Sequence, residues 1–277
     1  MSEPRVSVVI PVFNAGDYLA QALRSVARQT YRDFEVVVVD DGSTDPRTLA
    51  ILEAAAREPG VSVHRTPNGG PSRARNLGVA RARGAYVLPL DADDYLAPAF
   101  LAKTAPLLDA DPALGVVYTW VGLVGGHHGV WRTGGFSVTD LLARCTIHVS
   151  SLYRRKLWED VGGYDPRFVE SCEDWDFWLG AAQRGWTGRC VPEVLVHYRR
   201  SPASRERGSR APGVSTRLMR SLVGKHREIY VANIEDALAG MYERLAAAGL
   251  TLERIYDHPA MRVYVRLRSL LGRRPAA

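Results

Sequence analysis

The strongest constraint on this chain is a series of short, β-branched apolar runs, each followed by a stretch with helical spacing. The run "VSVVIPV" lacks the polar alternation of a strand with one wet face, so it reads as a strand buried on both sides. It is followed by "AGDYLAQALRSVARQ", where Leu19, Leu23 and Val26 recur on one helical face. "EVVVVDDGSTD" is a second strand that ends in acidic and turn residues. "RTLAILEAAAREP" then reads as a helix, "VSVHR" as a strand, "SRARNLGVARARG" as a helix and "AYVLPLD" as the next strand. This alternation predicts a parallel sheet covered by helices, with ligands bound beyond the carboxyl ends of the strands.

The acidic residues follow that rule. Asp40, Asp41 and Asp45 close the second strand, and Asp91, Asp93 and Asp94 close the fourth. On an extended strand residues i and i+2 project together, which pairs Asp91 with Asp93. Two hard oxygen donors side by side suit Mg²⁺ or Mn²⁺, with a substrate diphosphate filling the open positions. Helix capping would account for one aspartate, and Asp94 is the candidate cap of "APAFLAKTAPLL". Three in four positions is more than capping needs.

Composition narrows the class. The 277 residues are 46% hydrophobic and 24% charged, as in an ordinary globular protein. Three cysteines, Cys145, Cys172 and Cys190, show neither a disulfide framework nor zinc-ligand spacing. No apolar stretch approaches the roughly 20 residues of a membrane span. "MSEPRVSVVIPV" has no basic region before its apolar run, so a secretory signal is not expected. The expected setting is reducing and cytoplasmic. The net charge of +6 is concentrated toward the C-terminus, in "HYRRSPASRERGSR" and "VRLRSLLGRRP". Such runs are either a solvated surface or a site for an anionic partner.

Three segments carry a resemblance: "SVVIPVFNAGDYLAQALRSVARQTYRDFEVVVVDDGSTD", "NGGPSRARNLGVARARGAYVLPLDADDYLAP" and "VGGYDPRFVESCEDWDFWLGAAQRG". In this order the chain resembles an inverting glycosyltransferase of family 2 with the GT-A fold. The resemblance implies a Rossmann-like, mostly parallel α/β sheet with helices on both faces. It implies transfer of a sugar from a nucleotide diphosphate sugar, linked to UDP, dTDP or GDP, with Mn²⁺ or Mg²⁺. Residues 1–205 would form the nucleotide-sugar-binding and catalytic domain, and 206–277 a mobile loop and a helical extension.

The resemblance also implies roles. Pro11, Val12 and Phe13 match the strand end on which the nucleotide base rests, and Asp41 matches the carboxylate that reads the base. Asp40 is explained by turn chemistry with Gly42 and Ser43. Within "DAD", Asp93 matches the direct metal ligand. Asp91 faces the ribose or a metal-bound water, and Ala92 lies between them. Arg73 and Arg75 could approach the diphosphate or the donor sugar, or be surface helix charges. Asp174, in "ESCEDWDFWLG", matches the catalytic base, and helix-end charge accounts for Glu173 and Asp176. Trp175 and Trp178 are either a floor for an acceptor sugar or core.

One departure matters. Many family members carry Tyr-Arg-x-His after the base helix, where the histidine can ligate metal. This chain has "HYRRSPAS", with Ser201 at that place and His197 four residues earlier. "RRSPASRERGSRAPG" reads as a mobile loop that closes over the donor, with Arg199 or Arg200 near phosphate. Beyond about residue 213 the resemblance fades. "STRLMRSLVGKHREIYVANIEDALAGMYERLAAAG" has helical periodicity, and "PAMRVYVRLRSLLGRRP" is a candidate last helix. That helix suits packing, peripheral membrane contact or a homo-oligomer. The expected acceptor is a glycan, a lipid-linked molecule, or a natural product or peptide, and not nucleic acid. His127, His128 and Trp131 lie in a loop suited to contact it. A sugar nucleotidyltransferase and a non-catalytic nucleotide-sugar-binding subunit are the alternative readings.

Overall fold

The structure, a computed structural model, describes residues 3–126, 128–200 and 213–257. Its elements in chain order begin with β1 (Val6–Val12), α1 (Asp17–Ala27), β2 (Phe34–Asp40), α2 (Pro46–Ala55), β3 (Val61–Arg65), α3 (Pro71–Arg81) and β4 (Tyr86–Pro89). Then come β5 (Tyr95–Leu96), α4 (Phe100–Ala110), β6 (Leu114–Gly125), β7 (Gly129–Trp131), α5 (Val138–Ala143), β8 (Leu152–Arg154) and α6 (Arg155–Val161). The last are α7 (Glu173–Gln183), β9 (Thr187–Arg200), α8 (Val214–Lys225), α9 (Arg227–Ala232) and α10 (Ile234–Asp257).

Among the described residues nine strands form one sheet in the order β3-β2-β1-β4-β8-β6-β9-β5, with β7 paired to β6. The β-branched runs behave as their composition predicts. β1 pairs in parallel with both β2 and β4, and β2 with β3. Alternate residues of β1 feed two cores. Val8 and Ile10 pack with Leu19, Leu52, Phe100 and Leu101 on one face. Val9 packs with Ala74, Val79, Leu157 and Trp178 on the other. Full burial of one Val or Leu side chain is worth about 1.5–3 kcal/mol, so both faces contribute to holding the sheet.

The half beyond β4 departs from the expected parallel pattern. β8 runs antiparallel to β4 and β6, and β5 antiparallel to β9, while β6 and β9 are parallel. The segments joining these strands are not all strand–helix–strand crossovers, so nothing forces a common direction.

Local chemistry sets the helix starts. Asp45 caps α2, accepting from the Thr48 N–H at 2.7 Å, and Pro46 and Pro71 occupy first-turn positions that have no N–H partner to lose. Gly78 allows α3 to lie against β1, since a Cβ there would stand 2.3 Å from Val9 Cγ1. The helical C-terminal reading resolves into three pieces, interrupted at His226 and Asn233. The first is fixed to the base of α7. Lys225 Nζ donates to Asp176 at 2.7 Å and to Asp165 at 2.9 Å, and His226 Nε2 lies 2.9 Å from Asp176 Oδ1. The Tyr230 hydroxyl donates to the Leu142 carbonyl at 2.9 Å. The expected boundary at 205/206, Ser201, most of the expected closing loop and the expected helix in 259–275 lie outside the described residues. Among the described residues no helix is long and apolar enough to cross a membrane.

Candidate active site

A cleft of about 1100 Å³ opens beyond the carboxyl ends of β1, β2 and β4. Pro11, Val12, Phe13, Asp41, Arg75, Asp91, Ala92, Asp93 and Asp174 all line it. Arg73 does not. It is exposed and lies over Gly69, outside the cleft, because its place on α3 turns it away from the sheet edge.

The floor at the end of β1 and β2 is rigid. Asn14 adopts a left-handed backbone (φ 48°), which asparagine tolerates better than most residues. Its Oδ1 accepts from the Thr44 and Asp45 N–H groups at 2.8 and 2.9 Å. Asp40 is buried and accepts from the Ser43 N–H at 2.8 Å, the turn role expected of it. The two Asp41 oxygens accept from the Gly69 and Gly70 N–H groups, each at 2.8 Å. Asp41 is thereby held at the cleft wall, with lone pairs left over for a ligand.

The acidic turn corrects the strand argument. β4 ends at Pro89, and the Asp94 N–H donates to the Asp91 carbonyl at 3.0 Å, so residues 91–94 form a turn. Asp91 and Asp93 share the cleft through that turn and not through strand alternation. Asp94 is not a helix cap, because α4 begins only at Phe100. It is buried, and its Oδ1 accepts from the Arg199 N–H at 2.8 Å, tying β9 to the turn. Burial, then the charges of Asp93 and Asp91, pushes the Asp94 carboxyl well above the usual carboxylate range. Arg199 Nε donates to the Asp93 carbonyl at 3.0 Å, and its guanidinium lies 4.4 Å from the centre of the Tyr18 ring.

Arg75 lines the cleft and is not a surface charge. Its side chain is 1% exposed, with Nη2 2.6 Å from Asp91 Oδ1 and Nη1 3.0 Å from Glu173 Oε1. Burial works against its charge, but the two carboxylates more than offset that and raise its pKa. Glu173 is likewise not a simple helix-end charge, since it is buried as the second half of this bridge. Asp176 is buried under Lys225 and His226.

Beside them, Asp174 stands half-buried at the cleft wall, and its Oδ1 accepts from the Trp175 N–H at 2.8 Å. Burial first, then the neighbouring Glu173 charge, pushes its carboxyl up to about 6. Such a group is ionised at neutral pH and basic enough to take a proton. Trp178 is core, whereas Trp175 lines the cleft and donates from Nε1 to the Leu141 carbonyl at 2.6 Å.

Of the expected acceptor-side residues, Trp131 lines the cleft, His128 does not, and His127 lies outside the described residues. His197 stacks on Tyr95 at 4.5 Å and does not line the cleft. The sequence reading missed His148. It lines the cleft between Trp131 and Tyr198, at ring-centre distances of 6.1 and 5.0 Å, with Nε2 3.7 Å from Asp94 Oδ2. No motif spacing marks it, and only the fold brings it there.

The donor set fits a hard divalent cation. Asp91 and Asp93 present hard oxygen donors to the cleft from one turn, beside the buried Asp94 carboxyl. Among the described residues no three metal-ligating side chains are preassembled, so other ligands would have to complete the shell.

The glycosyl transferase family 2 model matches residues 7–162, more than half of the chain. The chain belongs to glycosyl transferase family 2. It is 38% identical over 181 residues to the PGL/p-HBAD biosynthesis glycosyltransferase of Mycobacterium tuberculosis, covering 64% of this chain and 69% of that protein. It is 30% identical over 186 residues to the chondroitin synthase of Pasteurella multocida, covering 66% of this chain and 19% of that one. The chain thus spans about a fifth of the length of that synthase. Among solved structures, Staphylococcus aureus TarS 1-349 in complex with UDP-GlcNAc superposes with a TM-score of 0.68 at 24% identity, covering 82% of this chain and 66% of that one. The mannosyltransferase PcManGT of Pyrobaculum calidifontis, with GDP-Man and Mn²⁺, gives 0.62 at 22%, covering 97% and 85%. The fold is therefore the α/β GT-A type, with C-terminal helices appended.

Proposed function

We propose that this glycosyltransferase moves a sugar from a nucleotide diphosphate sugar to an acceptor hydroxyl by a single, metal-assisted displacement with inversion. The observation that carries the reading is the sharing of one cleft by two acidic groups. The turn with Asp91 and Asp93 lines one part of it, and the half-buried Asp174 another, joined through Arg75 and Glu173. The solved complexes of TarS with UDP-GlcNAc and of PcManGT with GDP-Man and Mn²⁺ support a nucleotide-sugar donor and a divalent cation.

In this reading the nucleotide base rests on Pro11, Val12 and Phe13, and Asp41 accepts from a ring N–H. Asp93 and Asp91 hold Mg²⁺ or Mn²⁺. When bound, the cation supplies Lewis-acid stabilisation to the departing diphosphate. Arg75 keeps Asp91 in place. Asp174 takes the acceptor hydroxyl proton as that oxygen attacks the anomeric carbon from the face opposite the leaving group. One base and one displacement require no covalent intermediate. Trp131, His148 and Trp175 offer an amphipathic wall for a sugar-bearing acceptor. Residues 1–205 act as the catalytic domain, and 206–277 as an extension that braces α7 through Asp176.

Incubation with a panel of nucleotide sugars and Mn²⁺ or Mg²⁺ tests the proposal. The expected products are a nucleoside diphosphate and a glycoside of opposite anomeric configuration, read from the anomeric proton coupling. Pyrophosphate release would point to nucleotidyl transfer, and binding without turnover to a carrier subunit.

A further inference from the structure

The loop between α5 and β8 brings one more side chain to the acidic turn. His148 is buried, with its ring between Trp131 and Tyr198. Its backbone is fastened, since the Ser151 hydroxyl donates to the His148 carbonyl at 2.6 Å. The Ser150 N–H donates to its Nδ1 at 3.2 Å. A backbone N–H can only donate, so Nδ1 is the bare nitrogen and the neutral ring carries its hydrogen on Nε2. That nitrogen stands 3.7 Å from Asp94 Oδ2.

Asp94 needs such a donor. Its side chain is fully buried, and Oδ2 makes no hydrogen bond among the described residues. A buried carboxylate oxygen without a partner is costly. The separation of 3.7 Å exceeds a hydrogen bond by less than about 1 Å, and long contacts of this kind in unliganded sites tighten on binding. The turn is also gripped by β9, through the Arg199 N–H to Asp94 Oδ1 and Arg199 Nε to the Asp93 carbonyl. The Asp94 N–H in turn donates to the Asp91 carbonyl. A hold on Asp94 is therefore passed to the backbone that carries Asp91 and Asp93. His148 does not join them in a ready-made ligand set, because among the described residues no three metal-ligating side chains cluster.

We infer that His148 is a positioning residue of the donor site. Its Nε2–H fastens Asp94, and so sets the direction in which Asp91 and Asp93 offer their oxygens to Mn²⁺ or Mg²⁺. The inference rests on the metal-assisted reading of the cleft. Calorimetry of UDP, dTDP and GDP with and without Mn²⁺ tests it, and the readout is the factor by which Mn²⁺ strengthens nucleotide binding. A general loss of structure lowers both affinities, whereas this ratio follows the metal site. His148→Leu keeps the volume and removes the donor, so the factor should fall about 10–100-fold, the usual range for a group that holds a metal ligand. His148→Gln can place an amide N–H where Nε2 stands and should stay within about threefold of wild type. Asp94→Asn reaches the same contact from the other side and should resemble His148→Leu. Adding His148→Leu to Asp94→Asn should then cost nothing further, because the histidine acts through that carboxylate. A wild-type factor in His148→Leu, or an equal loss in the Leu and Gln variants, would overturn the inference. A further tenfold loss in the double variant would make His148 a direct metal ligand instead. A wild type that binds all three nucleotides equally well with and without Mn²⁺ would overturn the metal reading itself, and the role of His148 with it.

Discussion

The Arg75 guanidinium lies 3.0 Å from the Glu173 carboxylate, with the two side chains only 1 and 5% exposed. A buried ion pair of this kind adds little compared with a well-packed apolar substitute, but removing one partner strands the other. Arg75→Met leaves Glu173 without its cation and Asp91 without its brace. The expected loss is about 3–5 kcal/mol of unfolding free energy, read as a lower urea midpoint at unchanged slope. A loss below about 1 kcal/mol would mean that the two carboxylates find other partners or protonate at little cost.

The two aspartates of the acidic turn should separate in their effects. Asp93→Ala removes a carboxylate that lines the cleft, so metal-dependent binding of a nucleoside diphosphate should vanish, with a smaller loss of stability than removal of the buried Arg75's partner causes. Asp91→Ala removes the carboxylate that holds Arg75 Nη2 at 2.6 Å, so it should lower stability as well as binding. Calorimetry with and without Mn²⁺, combined with thermal denaturation, distinguishes them. Unchanged Mn²⁺-dependent affinity in Asp93→Ala would remove Asp93 from the metal site.

The anchoring of the C-terminal helices is open to a similar test. His226 is 6% exposed and hydrogen-bonds the buried Asp176 on α7. His226→Ala strips that carboxylate of one partner, at an expected cost of about 1–3 kcal/mol. Amides of α8 and α9 should exchange with deuterium faster, while those of β1, β2 and β4 stay protected. Uniform acceleration across the sheet would show instead that these helices and the sheet unfold as one unit.

What could be read in advance follows from how local each signal is. The parallel half was legible because "VSVVIPV" and "EVVVVD" carry their burial in their composition. β8 has three residues and β9 mixes charge with apolar residues, so their mixed pairing was not. Asp41 and Asp174 fell in the cleft because each sits at an element end that the motif fixes. The Asp94 expectation failed because the local rule of helix capping lost to a tertiary partner, the Arg199 N–H, 105 residues away. Arg75 and Glu173 are 98 residues apart, and neither sequence neighbourhood shows that the other would meet it. His148 had no local signal at all, since it depends on how β6, β8 and β9 bring their loops together.

The carboxyl of Asp174 ties chemistry to pH. Its pKa is raised from 3.8 to about 6, first by burial and then by the charge of Glu173. A general base must be unprotonated in the free enzyme. Activity governed by this group is therefore full above the raised pKa and is lost as pH falls through it. With Asp174 as base, kcat/KM should be level above about pH 7 and drop tenfold per unit well below about pH 6. Asp174→Asn preserves size and hydrogen-bonding reach but cannot take the proton. It should retain donor affinity, lose roughly 10²–10⁴-fold in transfer, and lose the acid limb centred near 6. Should the variant keep that limb, the titrating group lies elsewhere, and Glu173 and Asp176 are poor substitutes because Arg75 and the Lys225–His226 pair already hold them. A variant that instead loses donor affinity with little change in turnover would make Asp174 a donor-positioning residue and leave the acceptor proton to solvent.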